Sequence, residues 1–151
     1  MRVVIFICAL LTVINGEELD VHYCDGVGSE HCIIEKIRMT PCSTPKKECS
    51  IKRKFNASIE FDFTPKFVAE NLVAIIVWTN GPTSEIEFPG FDKDGCKFTT
   101  CPTADGVTQS LLYSLHIGQK EPVGAYQLKW KLYDINNESN QCCFKFRVRV
   151  R

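Results

Sequence analysis

After its first residues the chain alternates apolar and polar positions with a period of two, again and again. At the far end, QCCFKFRVRVR sets Phe144, Phe146, Val148 and Val150 against Lys145, Arg147, Arg149 and Arg151. Side chains on a strand point alternately to opposite faces, so this pattern predicts a strand with one covered face. KFNASIEFDF repeats it, with Phe55, Ala57, Ile59, Phe61 and Phe63 opposed to Asn56, Ser58, Glu60 and Asp62. GAYQLKWKLYD opposes Tyr126, Leu128, Trp130 and Leu132 to Gln127, Lys129 and Lys131, and LLYSLHI aligns Leu111, Tyr113, Leu115 and Ile117. CIIEKIRMT carries a weaker version, with Ile33, Ile37 and Met39 on one side. NLVAIIVWTNG, which includes Ile76 and Trp78, is apolar on both faces. That fits a central strand covered on both sides or a short buried helix, and its β-branched content with the Asn80-Gly81-Pro82 breaker favours the strand.

Turn-rich joints separate these runs: TPCSTPKKEC, FPGFDKDGC, CPTADG and DINNESN. No amphipathic helix of three turns and no internal repeat interrupts them. Six to eight short strands at regular spacing predict an antiparallel sandwich or barrel, and the chain length favours the sandwich.

The opening MRVVIFICALLTVING has one Arg, an apolar run and then small or polar residues, which reads as a secretory signal peptide over residues 1–16. It is too short for a spanning helix of about 20 apolar residues. Residues 17–151 are then expected to form a single domain in an extracellular or lumenal compartment. Without Arg2, the 18 basic residues become 17 against 18 acidic, a balance that offers nothing to nucleic acid. Two sequons, at Asn56 and Asn137, agree with a secretory route.

Cys8 lies in the leader, so Cys24, Cys32, Cys42, Cys49, Cys96, Cys101, Cys142 and Cys143 remain. An even set in a secreted chain predicts a disulfide framework. Zinc is the competing reading, but no Cys-x2-Cys pair occurs and His22, His31 and His116 are not at finger spacing, so no metal is expected. Cys42/Cys49 and Cys96/Cys101 bracket short turns and suit local staples. Cys142 and Cys143 point to opposite faces of one strand, so each should reach the N-terminal cysteines rather than the other.

Catalysis has little support. The chain has no G-x-S-x-G, H-E-x-x-H or phosphate-loop motif, and no cofactor is implied. Glu60/Asp62 and Glu85/Glu87 are same-face acid pairs of a kind that glycoside chemistry uses, yet acids on a wet strand face are usually solvated. The basic residues Lys46, Lys47, Lys52, Arg53 and Lys54, with the row Lys145 to Arg151, suit either anionic head groups or simple protection of strand edges. The apolar rows fit a solid core as well as a ligand cavity, since two sheets about 10 Å apart fill the gap with their own side chains.

Taken together, the N-terminal cysteine, TPCSTPKKEC, FPGFDKDGCKFTTCP, YQLKWKLYD and CFKFRVRV resemble the ML lipid-recognition family over roughly residues 20–151. The likeness is to its Niemann–Pick type C2-like branch, with an arthropod character, and also to mite group 2 allergens. The resemblance implies an immunoglobulin-like antiparallel β-sandwich with an apolar cavity between its sheets and no enzymatic activity. It also implies the disulfides Cys24–Cys143, Cys42–Cys49 and Cys96–Cys101. Cys32 and Cys142 depart from the family pattern and are expected to form a fourth bridge. The implied cavity lining is Phe61, Phe63, Ile76, Trp78, Phe88, Tyr113, Leu115, Ile117, Leu128, Trp130, Leu132, Phe144, Phe146 and Val148. Phe88 matches an aromatic that touches sterol in that branch, and Ile117 stands where the branch has a ligand-contacting valine. At the rim, a family tyrosine-proline is Glu121-Pro122 here. The implied partner is one small hydrophobic molecule, a fatty acid, a sterol or a similar semiochemical, delivered by a monomer to a membrane or receptor. A lipid-presenting immune co-receptor and a ligand-free immunoglobulin-like interaction domain are the alternatives.

Overall fold

The computed structural model describes residues 17–42, 48–79 and 84–151. Within them the alternating segments form strands β1 (Glu17–Glu18), β2 (Val21–Tyr23), β3 (Cys32–Thr40), β4 (Cys49–Ile51) and β5 (Asn56–Pro65). They continue as β6 (Leu72–Thr79), β7 (Glu85–Glu87), β8 (Gln109–His116), β9 (Gly124–Asp134) and β10 (Asn137–Val150). A short 3₁₀ turn at Gly95–Lys97 is the one helical element among the described residues. The expected six to eight strands become ten because β1, β2, β4 and β7 hold only two or three residues each, too few to show a period.

The strands make two sheets. One runs β1-β3-β5-β8; the other runs β2-β10-β9-β6-β7, with β4 also on β10. Pairing is antiparallel except between β4 and β10, which run parallel, so the second sheet is not purely antiparallel. β2 and β4 share one edge of β10, against Phe144–Phe146 and Val148–Val150 respectively.

Three sequence expectations need correction. The first concerns β3. Ile37 and Met39 face inward, but Ile33 does not join them; it lies opposite Thr64, on the outer face. Between Glu35 and Arg38 the register slips by one residue, at Lys36 with φ of 47°. A bulge of one extra residue flips the parity of the strand on either side of it. The second concerns Phe55, expected on the inward row: it precedes β5 and is exposed, while Ala57, Ile59, Phe61 and Phe63 point inward. Alternation does not reveal where a strand stops. The third concerns DINNESN, which is less of a loop than it looks. Asp134 Oδ1 accepts the Asn136 N–H at 3.0 Å, and β10 already starts at Asn137. Its first residues are exposed, so they carry no hydrophobic period. β6 is the expected strand: its inner face is fully covered, while Val73 and Ile75 on its outer face are half-buried.

Four disulfides join Cys24 to Cys143, Cys32 to Cys142, Cys42 to Cys49 and Cys96 to Cys101. The adjacent cysteines of β10 do diverge. Cys143 faces outward and holds the segment after β2; Cys142 faces inward, fully buried, and ties β10 to β3 in the other sheet. On the opposite side of the sandwich the segment from Phe88 to Cys101 spans the gap. It bonds to β6 through Ala74 N–H to Lys93 O (2.9 Å) and to β8 through Leu112 N–H to Phe98 O (3.3 Å).

Candidate functional site

The interior is built from both inner faces at once. From the four-stranded sheet come Phe61 and Phe63 on β5, Tyr113 and Leu115 on β8, and Ile117 just after β8. From the other sheet come Ile76 and Trp78 on β6, Leu128, Trp130 and Leu132 on β9, and Phe144, Phe146 and Val148 on β10. Every one of these is buried, as is Phe88. The β10–β9–β6 register explains the grouping: Phe144 lies opposite Trp130, which lies opposite Ile76, and Phe146, Leu128 and Trp78 form the next row.

Aromatic rings span the gap. Phe61 meets Phe144 edge-on with centroids 4.9 Å apart and Trp130 at 5.6 Å. Edge-to-face geometry suits ring quadrupoles and adds modestly to burial. Trp78 contacts Phe88 at 5.2 Å and Tyr126 at 4.7 Å, and the Tyr126 hydroxyl donates to Pro122 O at 2.9 Å. The turn at Glu121-Pro122, expected at the rim, is therefore tied directly to the aromatic row. Glu121 itself is half-exposed and Pro122 exposed.

Phe91 and Phe98 belong to the same aromatic assembly, although neither was on the predicted lining. Phe91 stacks on Tyr113 at 4.4 Å and meets Trp130 edge-on at 5.4 Å; Phe98 meets Tyr113 at 4.6 Å. A signal was present. Three Phe residues in a turn-rich, strandless segment need cover that a loop alone cannot give them.

Charge lies outside the apolar rows among the described residues, apart from Asp134 at the end of the inward row of β9. Among the described residues the buried polar or charged side chains are Ser50, Thr64, Thr103 and Asp134, with no cation. On the outer face of the six-stranded sheet Lys129 pairs with Glu85 (2.6 Å), Lys145 with Asp25 (2.8 Å) and Lys131 with Glu138. Hydrogen bonds from Lys145 and Lys131 hold the Asp25 and Glu138 carboxyls below the ordinary carboxylate range. An outer groove of about 370 Å³ lies here, between Asp25, Glu85, Lys129 and Lys145, and its polar walls do not suit a lipid. Arg149 pairs with Glu48, and Lys46 and Lys47 lie outside the described residues.

The acid pairs are all engaged with cations at the surface. Arg38 binds Glu60 at 2.9 Å and approaches Asp62 at 3.9 Å, and Lys93 binds Glu87 at 2.7 Å. His116 is exposed, with Nδ1 2.8 Å from Asn56 Oδ1. Asn56 and Asn137 are both exposed at strand starts, where a glycan would project into solvent.

An ML-domain family profile matches residues 18–150. The chain belongs to the ML-domain family. An MD-2-related lipid-recognition protein of Manduca sexta is 38% identical over 149 residues, 97% of this chain and 95% of that protein. NPC intracellular cholesterol transporter 2 of Sus scrofa is 29% identical over 134 residues, 87% of this chain and 84% of that protein. A solved Niemann–Pick type C2 protein from Japanese carpenter ant superposes with a TM-score of 0.75 at 20% identity, covering 87% of this chain and 99% of that one. At that identity the likeness speaks for the fold, an immunoglobulin-like sandwich. As an ML-domain protein the chain is a lipid-recognition protein and not an enzyme.

Proposed function

We propose that the chain is a secreted carrier that holds one apolar molecule between its sheets and releases it to a membrane or receptor. The observation that carries this reading is the continuous apolar inner face from Phe61 to Val148, with no buried cation among the described residues, set against lysines that are ion-paired on the outer face. An apolar lining with few polar groups favours an apolar ligand, at roughly 25 cal/mol per Å² removed from water. Residues 1–16 serve as the signal peptide, residues 17–151 as the single mature domain, and Asn56 and Asn137 as glycan acceptors.

The mouth is assigned to the end of the sandwich formed by residues 117–123. There Lys54 N–H reaches Ile117 O (2.6 Å), Arg53 N–H reaches Arg151 O (3.0 Å), and Arg53 Nη1 donates to Gln119 O (3.2 Å). Those contacts gather Lys52, Arg53, Lys54, Lys120 and Arg151 beside exposed Phe55 and Val123. Basic residues around exposed apolar ones suit transient contact with an anionic bilayer, each cation contributing about 1 kcal/mol near the surface.

Uptake of two fluorescent probes, a sterol (dehydroergosterol) and a fatty acid (cis-parinaric acid), tests the reading. Saturable uptake of either at one site per chain is expected, and Phe88→Asp should weaken it. A folded protein that takes up neither probe is no carrier, and unchanged affinity in the variant removes Phe88 from the site.

A further inference from the structure

Trp130 occupies the middle of the interior, on β9 between Ile76 of β6 and Phe144 of β10. None of it reaches solvent, and its indole Nε1 has no hydrogen-bond partner. The indole N–H is a donor only, so it needs an acceptor. Its neighbours are the rings of Phe61, Phe91 and Tyr113. The Tyr113 hydroxyl is engaged elsewhere, accepting the Asp92 N–H at 3.2 Å. Gln109 Oε1 and Thr99 Oγ1 are likewise buried without partners, but each belongs to a residue that is partly exposed. Among the described residues Trp130 combines a side chain wholly shut away from water with an unmade N–H donor. Buried polar groups in folded proteins are nearly always partnered, so an exception at the centre of a binding interior calls for a ligand atom.

The same interior lacks any buried Lys, Arg or His among the described residues. A carboxylate beside Trp130 would have one N–H donor and no countercharge, and burying an anion so poorly compensated is strongly unfavourable. A neutral oxygen needs no countercharge. We infer that the interior selects an uncharged lipid bearing an acceptor oxygen, such as an ester, ketone, ether or alcohol, and that Trp130 Nε1–H donates a hydrogen bond to that oxygen. Trp130 is thus the specificity-determining residue of the site. The inference rests on the carrier reading and narrows it: a free fatty acid binds only with its carboxylate left at the basic mouth, away from Trp130.

The test uses three ligands of equal heavy-atom count: methyl tridecanoate, its isomer myristate and hexadecane. Each is delivered from cyclodextrin, and each displaces a bound naphthylphenylamine probe. The ester should bind about tenfold more tightly than the hydrocarbon, the usual scale for satisfying a buried donor. Trp130→Phe should bring the two within about twofold. In the unaltered protein the Trp130 indole N–H resonance should move downfield with the ester and stay put with hexadecane. This second readout decides the matter even if the variant does not fold. Equal ester and hydrocarbon affinities with an unmoved indole resonance overturn the inference and leave the carrier reading standing. Myristate as the tightest ligand, insensitive to Trp130→Phe, overturns it as well. A protein that binds neither the probe nor any of the three ligands overturns the carrier reading, and the inference falls with it.

Discussion

The two long sides of this sandwich are closed by different chemistry. On one side β3 and β10 converge and a disulfide between Cys32 and Cys142 crosses from sheet to sheet. On the other, the segment from Phe88 to Cys101 is laid over the gap, with Phe91 stacked on Tyr113 and backbone hydrogen bonds to β6 and β8. The first side cannot part without reduction. The second is held by ring contacts and a few hydrogen bonds, which open locally at lower free energy than the whole fold. Cys96–Cys101 stiffens that segment internally without fastening it to either sheet. On the carrier reading proposed above, ligand entry is expected on the aromatic side and at the 117–123 end beside it.

Breaking the covalent side should have the largest effect on stability. Replacing Cys32 and Cys142 together with Ala removes a cross-link over 110 residues, and a loop of that length is worth about 4–5 kcal/mol on the chain-entropy scale. Urea unfolding should show that loss while probe release rates change little. Phe91→Ala attacks the other side. It should cost about 2–3 kcal/mol, below the range for fully buried phenylalanines because Phe91 is only partly buried, yet speed probe release several-fold. If the cysteine pair instead controls release and Phe91 does not, the two sides have been assigned the wrong way round.

Gly95→Ala sharpens the comparison at one point. An added Cβ would lie 2.9 Å from Leu72 Cβ and 3.0 Å from Leu132 Cδ1, so the 3₁₀ turn could no longer seat against β6 and β9. A loss of about 1–2 kcal/mol in thermal or urea unfolding is expected, with tighter packing having no room to compensate.

The surface charges should matter least. Asp92 is lowered chiefly by its hydrogen bond from Lys97, and Lys97 is raised by the same bond, so the partners agree. Asp25 and Glu138 are lowered likewise. Depressed carboxylates contribute above their unfolded pKa and lose that contribution as pH falls through the folded value. The raised lysine contributes below its unfolded pKa and loses it as pH rises through the folded one. All four groups are exposed and screened, so melting temperature should stay nearly flat between about pH 5 and 9 and decline only outside that window. A steep change near neutral pH would point to a titrating group that these pairs do not supply.

Much of this architecture is legible in the chain. The inward rows on β5, β8, β9 and β10 follow from alternation alone, because each strand is long enough to show its period and one face of each is covered. The parity of β3 is not legible, since a single left-handed residue at Lys36 reverses it without any apolar signature. Nor are β2, β4 and β7, whose pairing is decided by neighbours distant in sequence. Divergence of Cys142 and Cys143 follows from strand geometry, whereas the choice of partner is implied by the family likeness, which leaves Cys32 and Cys142 as the remaining pair. Phe91 and Phe98 escape a strand-based reading because their cover is supplied by β8 and β9, not by their own segment. Pattern cannot distinguish a filled core from a ligand site, as both demand the same apolar faces.

Native mass spectrometry of the protein secreted from eukaryotic cells, followed by organic extraction, tests the central claim most directly. The expected result is one apolar molecule per chain, lost on extraction and replaceable by an added sterol or fatty-acid probe. A chain that flies at its bare or glycosylated mass, yields nothing on extraction and takes up neither probe would contradict it.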